Sequence, residues 1–182
     1  MSIQQSGPMS VLAGWASSMG AFRRNRVPPS KKLVAAALCN AGYSYREVAS
    51  MVGGMSYIAA RDAYLAMLTS LPEEERKVRR EVAIDGSDVA VEERSFHLWL
   101  ARDVDNGEIM AFHASPGPTA EDGARFLAAV ASHCANKPAL RQGTGLSFPR
   151  ALVNLDLYFQ PSSPPSQPSF IGRIGKLFLG SG

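Results

Sequence analysis

A change of period at residue 81 limits the possible folds of this chain more than any other feature. Before it, apolar residues recur at helical spacing. From Glu81 they alternate, with Val82 and Ile84 set against Ala83 and Asp85, and Val89 and Val91 carry the run onward. Phe96, Leu98 and Leu100 alternate in a second segment, and Ile109–Ala114 forms a third. Between them Asp105-Asn106-Gly107 is a strong hairpin signal, because Asn-Gly tolerates the positive φ of a tight reversal. Thr119 and Asp122 have the spacing of a capping box at a helix start, and Asn136-Lys137-Pro138 is where that helix is expected to end. Its predicted buried stripe is Ala120, Ala124, Leu127, Ala131 and Cys134. Ala139-Leu140 is a candidate fourth strand. The order β-β-β-α-β predicts an α/β (α+β) core in which helices cover a sheet.

Upstream, Lys31–Ala41 reads as a helix stopped by Gly42, with Leu33, Ala37 and Leu38 on one face. Ser44 and Glu47 form a second capping-box pattern, opening a short helix that ends at Gly53-Gly54. Ser56 caps a third helix, Tyr57–Leu71, whose buried stripe is predicted as Tyr57, Ala60, Tyr64 and Met67. Three short helices joined by tight glycine turns match the trihelical form of the helix-turn-helix, in which the third helix enters the major groove of DNA. Ser56, Arg61 and Asp62 are the early polar residues on that helix.

The charge distribution agrees with this division. Residues 1–80 carry 11 Lys/Arg against 5 Asp/Glu, whereas residues 81–182 carry 8 against 11. A basic front and an acidic back fit a nucleic-acid-binding module joined to one that bears carboxylates. Arg23, Arg24, Arg26, Lys31, Lys32, Arg46, Ser56 and Arg61 are the candidate DNA contacts. Residues 1–29 lack sustained periodicity and are expected to form a flexible basic arm, with 30–71 the helix-turn-helix and 72–80 a solvated charged linker. Residues 81–159 then form the sheet-bearing domain, and the Pro/Ser-rich 160–182 is expected to be a disordered tail.

Cys39 and Cys134 sit inside apolar helical patterns with no CxxC spacing, so they read as small buried hydrophobes. His97, His113 and His133 show no metal-ligand spacing. The moderately apolar Met9–Phe22 has its charges behind it, unlike a secretory signal, and no run reaches the length of a membrane span. A soluble, cytoplasmic protein with no membrane or small-molecule partner is expected.

Four segments, taken in order, resemble the DDE transposases of prokaryotic insertion sequences. They are Ala41–Ala49, Val82-Ala-Ile-Asp85, Leu98–Phe112 and Lys137-Pro138. The resemblance implies a helix-turn-helix that binds duplex DNA at the element's ends, followed by a ribonuclease-H-like core, here partial. In such a core two aspartates and a glutamate hold two divalent ions, Mg²⁺ or Mn²⁺, which stabilise the attacking and leaving oxygens of an in-line displacement at phosphorus. Hard cations of this kind take oxygen ligands. Asp85 matches the first carboxylate, as the catalytic and metal-binding residue. Aligned on Phe148-Pro149, the second falls on Gly143, and the third falls on Gly172. The resemblance therefore implies a transposase-family protein, in this copy without catalytic activity, with a second copy of the chain (a homodimer) as a candidate partner. The alternative is a repressor-like or remnant DNA-binding fragment.

Overall fold

Two apolar surfaces have to be covered in this chain, one on each side of a single sheet, and the arrangement of helices follows from that need. The computed structural model describes residues 7–22, 26–69, 71 and 76–142. Its elements are α1 (Pro8–Ser18), α2 (Pro29–Asn40), α3 (Tyr45–Val52), α4 (Tyr57–Leu68), β1 (Glu81–Val91), β2 (Arg94–Asp103), β3 (Ile109–Ser115), α5 (Ala120–Ser132) and β4 (Ala139–Gln142). The strand order is β3-β2-β1-β4. β1 to β3 are antiparallel neighbours, and β4 returns beside β1 in parallel after α5. The fold is thus mixed α/β: four helices, a three-strand antiparallel sheet, a helix, and a parallel fourth strand.

Local sequence explains the helix starts. The Ser44 hydroxyl accepts from the Glu47 backbone N–H while Glu47 Oε2 accepts from the Ser44 N–H at 2.8 Å, so two amides at the start of α3 are satisfied reciprocally. Thr119 and Asp122 do the same for α5. Ser56 Oγ accepts from the Ala59 N–H at 3.1 Å to start α4.

α2 is apolar almost all round, and its position accounts for that composition. Leu33 through Cys39 are all buried, because α2 is sandwiched between the sheet and α4. One core joins α2, α3 and α4 to Phe96, Leu98, Leu100, Phe112 and Ala114 on the sheet. On the opposite face Val82, Ile84, Trp99, Ala101 and Met110 pack against Phe126, Leu127 and Val130 of α5. Helices and sheet therefore share an apolar core across the boundary expected at 72–80. Both cysteines are buried and unpaired, and burial pushes their thiols up, to about 12 for Cys39 and about 11 for Cys134.

Several expectations need correction. Residues 8–18 form a helix instead of a flexible arm: Leu12 and Ala16 are buried, and Trp15 meets Phe112 edge to face at 6.1 Å. Such a ring pair adds about 0.5–1.5 kcal/mol to simple burial. The α5 stripe is rotated to Gly123, Phe126, Leu127, Val130 and Ala131, while Ala120 is exposed, and the helix stops at Ser132. The described part of the connector, 76–80, is exposed apart from Arg79, as a solvated linker would be, but it is tied to the segment after α5. Lys77 bridges to Cys134 in parallel, and the Asn136 side chain clasps both the N–H and the C=O of Arg79 at 2.7 and 2.8 Å. No helix among the described residues is long and apolar enough to cross a membrane. The expected tail, 160–182, lies outside the described residues.

Candidate functional site

α4 is the outer layer of the helical trio, packed on α2 and α3. Ala60, Ala63, Tyr64 and Met67 face inward, which leaves Ile58, Arg61, Asp62 and Leu65 along the opposite side. Ser56 is exposed at the helix start, with its hydroxyl oxygen engaged in the cap. The Arg46 guanidinium, from the first turn of α3, lies 5.7 Å from the centroid of the Tyr57 ring. Arg61 is bound by its neighbour Asp62, at 3.0 and 3.2 Å from Oδ1. Three of the expected DNA contacts, Arg46, Ser56 and Arg61, are therefore gathered around the beginning of α4.

The remaining candidates separate. Arg26 is exposed just ahead of α2, and Lys32 lies 5.3 Å from the centroid of the Phe22 ring. Arg23 and Arg24 lie outside the described residues. Lys31 does not belong to a DNA-facing set. Its side chain is 5% exposed, and its ammonium is paired with Glu92 in the β1–β2 turn. Sequence spacing gave no sign of this, because the two residues are 61 positions apart. Tyr57 also departs from its expected inward position: it is 48% exposed, beside Ile58 at 47%. Both were missed as surface residues because the helical period of the sequence admits more than one inward direction.

The hairpin that supplies Glu92 also fixes the trio. Glu92 adopts φ 55°, uncommon for a residue with a side chain, and the turn leaves Arg94 to donate to the Ser50 carbonyl at 2.6 Å and to the Met51 carbonyl near the end of α3. Gly53 and Gly54, at φ 70° and 55°, make the turn between α3 and α4. Gly54 needs glycine for its dihedral, and a Cβ there would stand 2.7 Å from Lys31 Nζ, so that the end of the lysine would have to shift.

The carboxylate expected to bind metal, Asp85, lies on β1 opposite Leu100 of β2. Its side chain is 24% exposed, and its charged neighbour is Arg102 at 3.6 Å. Asp88 projects from the opposite face, as the period of two requires, and contacts His97 Nδ1 at 2.7 Å. Asp103 serves the β2–β3 turn: its Oδ1 accepts from the Asp105 and Asn106 amides at 2.8 and 3.4 Å, and its Oδ2 accepts from Arg79 at 2.7 Å. Glu108 Oε2 lies 2.7 Å from the same Arg79 Nη1, as a charge contact instead of an aligned hydrogen bond. Partial burial would raise both carboxyls, but Arg79 outweighs it, with turn amides helping at Asp103 and Lys77 at Glu108, and both sit below the usual carboxylate range. Among the described residues no three His, Cys, Asp or Glu side chains are grouped to hold a metal ion. The ligand set implied for Mg²⁺ or Mn²⁺ is thus not present in the described residues. Positions 143 and 172 lie outside them.

The chain is 31% identical over 142 residues to an uncharacterized protein, MJ0017, of Methanocaldococcus jannaschii. The match covers 76% of this chain and 66% of that protein, so the chain spans just under two thirds of its relative's length. No protein-family model matches the chain, and no solved structure matches it.

Proposed function

We propose that this chain is a DNA-binding protein with the domain plan of an insertion-sequence transposase, and that it holds element-end duplex DNA without cutting it. The observation that carries this reading is the coupling of a trihelical unit to a sheet of order β3-β2-β1-β4 with Asp85 on its central strand β1. That order, with a parallel fourth strand reached through a helix, is what a ribonuclease-H-like core begins with. The last described pair of β1 and β4 is Ile84 with Gln142, one residue short of Asp85. In the family's pattern a second carboxylate follows the fourth strand, but the sequence after Gln142 continues with Gly143. Asp85 instead has Arg102 as its charged neighbour. Positioning and charge stabilisation are what a phosphoryl-transfer site contributes, and a lone carboxylate supplies little of either.

Binding is tested by titrating the full chain onto duplex DNA at rising salt. Displacement of condensed counterions by Lys32, Arg46 and Arg61 would make affinity fall steeply, with a slope close to one unit per phosphate neutralised, about −0.9 each. Affinity indifferent to salt, or no binding at all, would remove the proposal. Mg²⁺-dependent nicking that disappeared in Asp85→Ala would remove its second half.

A further inference from the structure

We infer that the start of α4 reads the 5-methyl groups of thymine in the major groove, with Ile58 as the specificity-determining residue; this rests on the DNA-binding reading above. Tyr57 and Ile58 are 48% and 47% exposed side by side in the first turn of the outer helix. The other exposed positions between 30 and 69 are polar residues or glycine. The pair is flanked by two guanidiniums, Arg46 beside the Tyr57 ring and Arg61 one turn further along the helix. A surface that sets apolar side chains between cations suits a partner that is itself apolar in patches and anionic around them.

The major groove of A·T-containing DNA has that character. Thymine presents a methyl group beside its O4 acceptor, and phosphates run along both rims. Ile58 lies on the same side of α4 as Arg61 and Asp62, so an approach that brings it to a base edge also brings Arg61 to the groove. Asp62 holds Arg61 through Nε and Nη2, which fixes the direction of the guanidinium. Cytosine lacks the methyl, and so does uracil. Recognition would therefore favour thymine over both, and the loss of one buried methyl corresponds to about fourfold in affinity.

The test uses the full chain with three duplexes of equal length at one salt concentration: alternating dA·dT, the same duplex with uracil for thymine, and alternating dG·dC. The expected result is a preference for the thymine duplex over the uracil duplex of about fourfold or more, lost in Ile58→Ala, while the slope of affinity against salt, which counts phosphate contacts, is the same in both proteins. Ile58 is half exposed, so this variant should keep its helical circular dichroism. Equal affinity of the unaltered chain for thymine and uracil duplexes would overturn the inference and leave DNA binding standing. So would a preference that survives Ile58→Ala. No binding to any duplex overturns both readings, and points to a protein surface as the partner of this helix turn.

Discussion

The sheet carries carboxylates in two contrasting settings. At one end Arg79, 2% exposed, is enclosed by Asp103 and Glu108 and tied through its backbone to Asn136. Burial works against its charge, yet the two carboxylates raise its pKa above the ordinary guanidinium value. On β1, Asp85 has Arg102 as its charged neighbour at 3.6 Å and a side chain that is partly exposed. The most elaborated electrostatic centre in the described molecule therefore lies where strands and connector are tied together, and the carboxylate with a family resemblance to a metal ligand has a looser pair, with Arg102 at 3.6 Å. A perturbed carboxylate is thus no guide to chemistry by itself, because structural ion pairs perturb pKa values equally well.

The largest effect that tests this contrast is expected from Asp103→Ala. It leaves the buried Arg79 guanidinium short of a partner and strips two turn amides of their acceptor, so a loss of about 3–5 kcal/mol is expected in urea unfolding. A loss below about 1 kcal/mol would show that water or Glu108 replaces the carboxylate, and the contrast would fail.

Acid should act next, through His113. Burial lowers its pKa from 6.5 to about 4, with Nδ1 unpartnered and the ring edge-on to Phe126 at 5.5 Å. The unfolded chain then binds a proton that the folded chain refuses, so stability falls as pH drops from about 6.5 towards 4 and levels below that. The full swing is roughly 3 kcal/mol. His113→Leu should remove this part of the pH dependence and leave the part due to Asp103 and Glu108, whose depressed pKa values cost stability at lower pH still. Identical pH profiles for the two proteins would assign the acid sensitivity elsewhere.

Asp85→Ala should change least, by less than about 1 kcal/mol, because a partly exposed pair as long as 3.6 Å is worth little in water. Unfolding that shifted by several kcal/mol would make Asp85 a structural residue and reduce the meaning of its place on β1.

What the sequence disclosed, and what it concealed, divides by the range of the interaction. The capping boxes at Ser44 and Thr119 and the Asn106-Gly107 turn are decided within four residues, and each is present where the sequence puts it. The strands are legible because alternation survives in β1. β2 and β3 are buried on both faces and hold their place through pairing. α1 was not legible because only Pro8, Leu12 and Ala16 are buried in it, and the Trp15 contact that helps hold it is with Phe112, far along the chain. The Glu92 reversal gives no signal in a Glu-Glu sequence: its positive φ occurs where Lys31 binds the side chain. Of the candidate site, Arg46, Ser56 and Arg61 could be read from the helix-turn-helix pattern. The exposure of Tyr57 and Ile58 could not, since it depends on which side α2 approaches.

The Glu92 hairpin also governs how this protein can be dissected. Residues 29–68 have the outline of a portable module, yet the counterion of Lys31, the guanidinium that ties down the end of α3, and the apolar wall behind α2 all come from the strands. A fragment cut at the connector would carry a stranded ammonium and an unclothed helix into solution. Excision would then yield an aggregating peptide in place of a working binding domain, and any transplant of the trio into another protein would have to bring the β1–β2 hairpin with it.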